Sequence, residues 1–445
     1  MTQRPTVSTT RPSCASAFGA LLFWDFDFGL RLTLIGLGWG NFLGCTQGYD
    51  IPVGMRSGLE CFLNAPQDVL QGRRAALLTN PTAVTKDLTH AVDALHEHPN
   101  VDLRLLLGPE HGVRATAQDM ITVGDELDPI TKLPVVSLYG DTFDSLSPTP
   151  ESLEGIDVLI FDIQDVGARY YTYAATLALA MKVAGPLGIE VVVLDRPNPI
   201  GGHLVEGCGV EPGYENFCGL FALPQRHGLT VGELAKLYVK AFGIECKLTV
   251  IECDGWRRNQ WFDQTDLPWV MPSPNMPTLD TATVYVGGCL IEGTLVSEAR
   301  GTTRPFELIG AAYVDPQELA ARLTSYQLDG VLFRPTHFQP TFHKFGGKNC
   351  GGVQLHVTNR ESFHSLNTGL AVIHAIRSLY PKAFDWRTEK YEFRDDVPAI
   401  DLLIGHPRFR EAVNAGASFS ECVETVSGGL DLFNAHRDEV LIYPS

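Results

Sequence analysis

The sequence predicts an α/β fold: a mostly parallel sheet with helices on both faces, followed by a smaller C-terminal α+β domain. Three observations carry this. Short runs of consecutive Val, Ile and Leu recur between residues 74 and 253, as strands buried on both faces require. Stretches with helical periodicity separate them, which is the alternation that builds a parallel sheet. From residue 254 to 310 the pattern changes to Trp, Pro and Gly, and then to isolated helices and strands.

The elements follow in order. Residues 1–56 form a leader, 57–264 the first domain and 265–445 the second. RAALLTN, from Arg74, is the first strand and runs into Asn80-Pro81, where the proline removes a backbone donor. TKDLTHAVDALHEHPN, from Thr85, predicts a helix with Leu88, Val92 and Leu95 on one face. VDLRLLL (101–107), LPVVSLYG (133–140) and DVLIFDIQD (157–165) are the next strands. YYTYAATLALAMKVAG (170–185) is a buried helix stopped by Gly185-Pro186. IEVVVLDRPNP (189–199) is a strand with an abrupt proline stop, LTVGELAKLYVKAFG (229–243) an amphipathic helix and CKLTVIEC (246–253) another strand. In the second domain, helices are expected at 315–326 and 361–380, and strands near 331–335 and 352–358.

Composition narrows the function. The 445 residues carry 34 basic and 52 acidic side chains, a formal charge of −18. That balance argues against a nucleic-acid partner, because a phosphate backbone needs a basic face. No Walker loop is present and no GxGxxG follows a strand, so no nucleotide cofactor is expected. The absence of a GxSxG elbow disfavours a serine hydrolase. Eight cysteines beyond the leader form no CxxC pair and read as small buried hydrophobes. The leader is Ser/Thr/Pro-rich, then apolar up to Cys45, with Asp25 and Asp27 interrupting the apolar stretch. It reads either as an export signal, with a lipid anchor at Cys45, or as a disordered arm of a cytoplasmic protein.

Parallel sheets bind ligands beyond the carboxyl ends of their strands. Four of those ends are polar here. Asn80 follows the first strand, Glu110 and His111 (in GPEHG) the second, Asp162 and Asp165 the fourth, and Asp195, Arg196 and Asn198 the fifth. One such end alone reads as a helix cap, whereas four on one edge read as a site. Two carboxylates in one crevice can divide acid and base roles if their surroundings separate their pKa values. Glu110 is the candidate acid, because partial burial after an apolar strand would keep it protonated near neutrality. His111 orients Glu110, binds substrate, or is a core histidine. The same acidic residues match no metal-ligand spacing, so no metal is expected. EGTLVSEARGTTRPFE (292–307) brings Glu292, Arg300 and Arg304 together, and its arginines suit bidentate recognition of a carboxylate or an exposed salt-bridged loop. PSPNMPT (272–278), with Asn275, is a rigid wall of a sugar or peptide cleft, or a linker.

LTNPTAVT, GPEHGVRA, DIQDVGARYYTY, LDRPNPIGG, RHGLTVGELA, PSPNMPT, EGT…SEARGTTRPFE and GVQLHVTNRESF occur in that order. Together they resemble the exo-β-N-acetylmuramidases of the NamZ (YbbC-like) type, formerly a domain of unknown function, over about residues 57–440. The resemblance implies a Rossmann-like domain joined to a smaller one, with the active site in the cleft between. It implies release of terminal N-acetylmuramic acid from the non-reducing end of peptidoglycan-derived glycan fragments. By motif it makes Glu110 the catalytic acid, with His111, Asp162, Asp165, Arg169 and Tyr170 lining the sugar site.

Two positions depart from the pattern: Leu295 stands where asparagine is expected after EGT, and Ala299 where glycine is expected before Arg300. Glycoside hydrolysis normally needs a second carboxylate, here Asp162, Asp165 or Glu292, unless the substrate's own N-acetyl group assists. Arg300 or Arg304 is the expected partner of the lactyl carboxylate of muramic acid. A non-catalytic sugar-binding module and a metal-dependent hydrolase are the alternatives.

Overall fold

The computed structural model describes residues 54–110, 112–114 and 126–445. The leader expected to be an export signal or a disordered arm, with its candidate anchor Cys45, and His111 lie outside the described residues.

The main sheet contains β1 (Arg74–Thr79), β2 (Asp102–Gly108), β3 (Glu126–Leu127), β4 (Pro134–Ser137), β5 (Val158–Asp162), β6 (Glu190–Leu194) and β7 (Leu248–Ile251). Its order is β3-β4-β2-β1-β5-β6-β7, parallel throughout except for the two-residue β3 at the edge. The six parallel strands thus run third, second, first, fourth, fifth, sixth in chain order, which is the doubly wound Rossmann arrangement. Winding reverses between β1 and β5, so a crevice opens at their carboxyl ends with the end of β2 beside it.

Alternation along the strands serves two cores. Ala75, Leu77, Ile160, Val192 and Leu194 pack under Leu59, Phe62, Val92 and Leu95 from the helices Gly58–Leu63 and Ala91–Glu97. Ala76, Leu78, Phe161, Val191 and Val193 pack on the other face against helices Tyr173–Ala184 and Val231–Ala241. A shift in the β1–β2 register between Ala75 and Ala76 turns Leu103 and Leu106 to one face and Leu105 and Leu107 to the other.

The second region holds the antiparallel sheet β8 (Leu308–Ala311), β9 (Val331–Phe338) and β10 (Cys350–Val357), in the order β8-β10-β9. Helix Leu279–Gly288 crosses helix Ser365–Leu379 closely, since a Cβ on Gly369 would lie 2.1 Å from the Gly287 carbonyl oxygen. The apolar core is continuous between the regions, Phe161 and Val193 sharing it with Phe306, Val353 and Leu370. At the end of the chain, Tyr443 donates to Asp195 Oδ2 at 2.6 Å and accepts from the Cys253 amide at 2.9 Å.

Two expected helices are shorter. The stretch from Thr85 becomes helical only at Ala91, because Thr85 and Thr89 close a turn in which Leu88 has φ 67° and is 60% exposed. The helix expected from 170 begins at Tyr173, since Tyr170 and Tyr171 are drawn into the site below. Helix Leu279–Gly288, strand β8 and four short helices between Ala399 and Asp438 escaped the sequence reading. No described helix is long and apolar enough to cross a membrane. The eight described cysteines are free thiols.

Candidate active site

Glu110 sits at the tip of a tight turn that ends β2. The Gly112 amide donates to the Pro109 carbonyl at 2.9 Å and Gly112 has φ 77°, a left-handed backbone that glycine adopts without penalty. Arg114 pins the turn's exit, pairing with Asp93 and with the buried Asp128, each at 2.7 Å. That guanidinium helps hold Asp128 well below the usual carboxylate range against the opposing effect of its burial. Glu110 is itself half-buried and lines a cleft.

Tyrosines form one side of this cleft. Tyr170 and Tyr171 come from the irregular segment after β5, Tyr173 from the start of helix Tyr173–Ala184, and Tyr285 from helix Leu279–Gly288. Their rings meet edge to face, Tyr171 with Tyr173 at 5.2 Å and with Tyr285 at 5.6 Å between centroids. Tyr170 donates its hydroxyl hydrogen to the Val286 carbonyl, and Tyr173 donates to Pro272 at 2.7 Å, tying this side to PSPNMPT.

The facing wall is charged. Buried Glu292 accepts from Arg300 Nη2 at 2.7 Å and from the Tyr391 hydroxyl at 2.9 Å. Behind it, Lys344 donates to Glu298 at 2.9 Å and to the carbonyls of Ile291 and Val296. With Arg300 and His343 nearby, Lys344 drives buried Glu298 well below the usual carboxylate range despite desolvation. Gly293 accepts a bond from the Arg387 amide at 3.0 Å, which hangs the segment 387–392 over the cleft. That segment adds Arg387, stacked over Tyr391 at 4.8 Å, together with Lys390 and Glu392.

Of the sequence-derived candidates, Glu110, Tyr170, Glu292 and Arg300 therefore meet in one cleft. The others are engaged elsewhere. Asp162 and Arg196 form a buried ion pair at 2.5 Å, 0% and 4% exposed, in which loss of one partner costs about 3–5 kcal/mol. Asp195 caps helix Val231–Ala241 by accepting from Thr230 and the Gly232 amide, and burial pushes it up to about 6. Asn198 bridges the Ile200 amide and the Leu229 carbonyl. Arg169 points away from the cleft, clamping the carbonyls of Cys208, Leu223, Leu403 and Ile404. Asn80 folds back to accept from Thr82. Arg304 pairs with Glu307 at 3.0 Å beside β10, outside the cleft, and Asn275 lines a neighbouring groove. Leu295, 41% exposed, is not among the cleft's lining residues.

Asp165 is buried near Tyr171 and Tyr173 but does not line the cleft. Its Oδ1 accepts from the Gly167 amide at 2.7 Å, its Oδ2 has no hydrogen-bond partner among the described residues, and burial pushes it up to about 7. A raised carboxyl binds its proton more tightly in the folded state, so its contribution is fully present below about pH 4 and is lost as pH rises through 7. Thermal unfolding should show Asp165→Asn losing less stability than wild type between pH 5 and 8. Parallel profiles would contradict this.

Ala299 has φ 61°, which accounts for the glycine expected there. A left-handed alanine costs roughly 1–2 kcal/mol. Ala299→Gly should accordingly stabilise the protein by about 1 kcal/mol in denaturant unfolding, and a destabilised variant would sink this explanation.

The sequence reading missed Tyr171, Tyr173, Tyr285, His343, Arg387, Lys390, Tyr391 and Glu392. A signal for the last four existed in WRTEKYEF (386–393), where cations alternate with aromatics. Among the described residues, no group of three or more His, Cys, Asp or Glu is arranged to hold a metal.

Known proteins resemble this chain over most of its length. A family model described as "Exo-beta-N-acetylmuramidase NamZ, N-terminal" matches residues 75–280, and its C-terminal counterpart matches 283–443. The "Peptidoglycan beta-N-acetylmuramidase NamZ" of Bacillus subtilis (strain 168) is 45% identical over 389 residues, 87% of this chain and 91% of that protein. Two crystal structures of DUF1343 family proteins from Bacteroides fragilis NCTC 9343 superpose with TM-scores of 0.80 and 0.67, at 34% and 27% identity. Each comparison covers 88% of this chain and 99% of the other.

Proposed function

Because the chain belongs to the exo-β-N-acetylmuramidase NamZ family, we propose that its cleft hydrolyses the terminal β-N-acetylmuramic acid linkage of peptidoglycan fragments, with Glu110 as general acid. The protein is a glycosidase of this family, acting on peptidoglycan-derived substrate. The observation that carries the assignment is the meeting of Glu110, from the end of β2, with Glu292, from the second region, in one tyrosine-walled cleft.

Glycoside cleavage needs a proton for the leaving oxygen and a second carboxylate at the anomeric carbon or at the attacking water. Glu110 suits the first role, because its turn is anchored by Arg114 and its side chain is half-buried. Glu292 suits the second, since Arg300 and Tyr391 fix both of its oxygens. Muramic acid differs from glucosamine by a lactyl carboxylate, which needs a cation. Arg300, already paired with Glu292, and Arg387 are the guanidinium groups that line the cleft, and a guanidinium suits a carboxylate.

The test is hydrolysis of 4-nitrophenyl β-N-acetylmuraminide by the full chain, with the corresponding glucosaminide as control. Selective turnover of the muraminide is expected, with Arg387→Ala eroding the selectivity. A folded wild type that leaves the muraminide intact, or cleaves both equally, would overturn the reading.

A further inference from the structure

We propose that a second, uncharged groove beside the cleft binds the sugar residues on the leaving side of the scissile bond. This rests on the muramidase reading and names how the remainder of its substrate is held. The groove and the cleft are lined by neighbouring residues on three separate chain segments. Ser273, Arg300 and His343 line the cleft, and their sequence neighbours Pro274, Gly301 and Phe342 line the groove. Adjacent Cα atoms are only about 3.8 Å apart, so on all three segments one backbone wall borders both spaces.

The chemistry of the groove differs sharply from that of the cleft. No charged side chain lines it among the described residues. It offers instead Asn275, Thr302, Thr303, Gln339 and Thr341 around the 49%-exposed ring of Phe342. Asn275 is 6% exposed, and its Nδ2 has no hydrogen-bond partner among the described residues, an arrangement that a ligand acceptor would satisfy. Gln339 donates to Gly347, which leaves its side-chain oxygen to accept. Amides and hydroxyls around an aromatic face suit a neutral N-acetylated sugar. A stem peptide carries carboxylates and an amine, for which the groove holds no counter-charge.

The groove is also preformed. The Thr341 amide and hydroxyl both donate to the Gly301 carbonyl, at 3.0 and 2.8 Å. Gly301 has φ 82°, and a Cβ there would lie 2.8 Å from the Phe342 amide nitrogen, so the two walls can approach this closely only at glycine. A rigid wall loses little entropy on binding, which favours affinity.

The experiment compares two substrates in Phe342→Ala and Phe342→Tyr full-length protein. One is a peptide-free muramyl-glucosaminyl glycan, the other the 4-nitrophenyl muraminide, whose leaving group is too small to fill the groove. Phe342→Ala should lower kcat/KM on the glycan about tenfold, chiefly through KM, and leave the muraminide within about twofold. Phe342→Tyr keeps the ring and should restore most of the loss. Equal losses on both substrates, or none in a folded Phe342→Ala, would overturn the groove's role while leaving the muramidase reading intact. The same glycan carrying stem peptides serves as a further arm, and a loss confined to it would overturn the proposal in favour of peptide recognition. Failure of wild type on the muraminide would remove the parent reading instead.

Discussion

Glu110→Gln is expected to lower kcat on a muramyl-glucosaminyl glycan by about 10²–10⁴-fold, with KM changed only a few-fold. The substitution keeps the shape of the side chain at the end of β2 and removes the transferable proton. The Pro109–Gly112 bond and the Arg114 ion pairs that shape the turn are made by other groups. Unchanged kcat with raised KM would instead mark Glu110 as a binding group.

Glu292→Gln should have the second largest effect. It removes the negative charge from a buried side chain that accepts from Arg300 and Tyr391. If Glu292 supplies the second carboxylate, kcat falls by about 10²-fold or more. Glu392 also lines the cleft, though on the half-exposed segment suspended from Gly293. Glu392→Gln should therefore retain most of the activity, and the reverse ranking of the two variants would transfer the role to Glu392. The configuration of the released sugar, followed by proton NMR, then separates retention from inversion.

The sheet was legible in the sequence because strands buried on both faces must be continuous apolar runs, as VLIFD in β5 and EVVVL in β6 are. Glu110 was legible for a related reason: a carboxylate directly after such a strand lies at the edge where these sheets bind ligands. The same rule overreached at Asp162, Asp195 and Asn198. A polar strand end can equally neutralise a buried arginine, cap the next helix or brace a loop, and only three-dimensional contacts distinguish these uses. The charged wall was the least legible part. Arg387, Lys390 and Glu392 lie almost a hundred residues beyond Glu292 and reach the cleft through backbone bonds from Arg387 to Gly293 and from Leu295 to Asp385, together with the hydroxyl of Tyr391. Such pairing has no local periodicity to announce it. Arg304 shows the converse, since four residues after Arg300 the chain has already turned to β8 and carries it out of the cleft.

The most direct test of Glu110 as the proton donor is a leaving-group comparison in Glu110→Gln. A sugar hydroxyl leaves poorly without protonation, whereas 4-nitrophenolate leaves readily, so a missing acid must harm the first far more than the second. The account predicts a loss on the glycan at least tenfold greater than on the 4-nitrophenyl muraminide. An equal loss on both substrates would contradict it and assign Glu110 to a step other than proton donation.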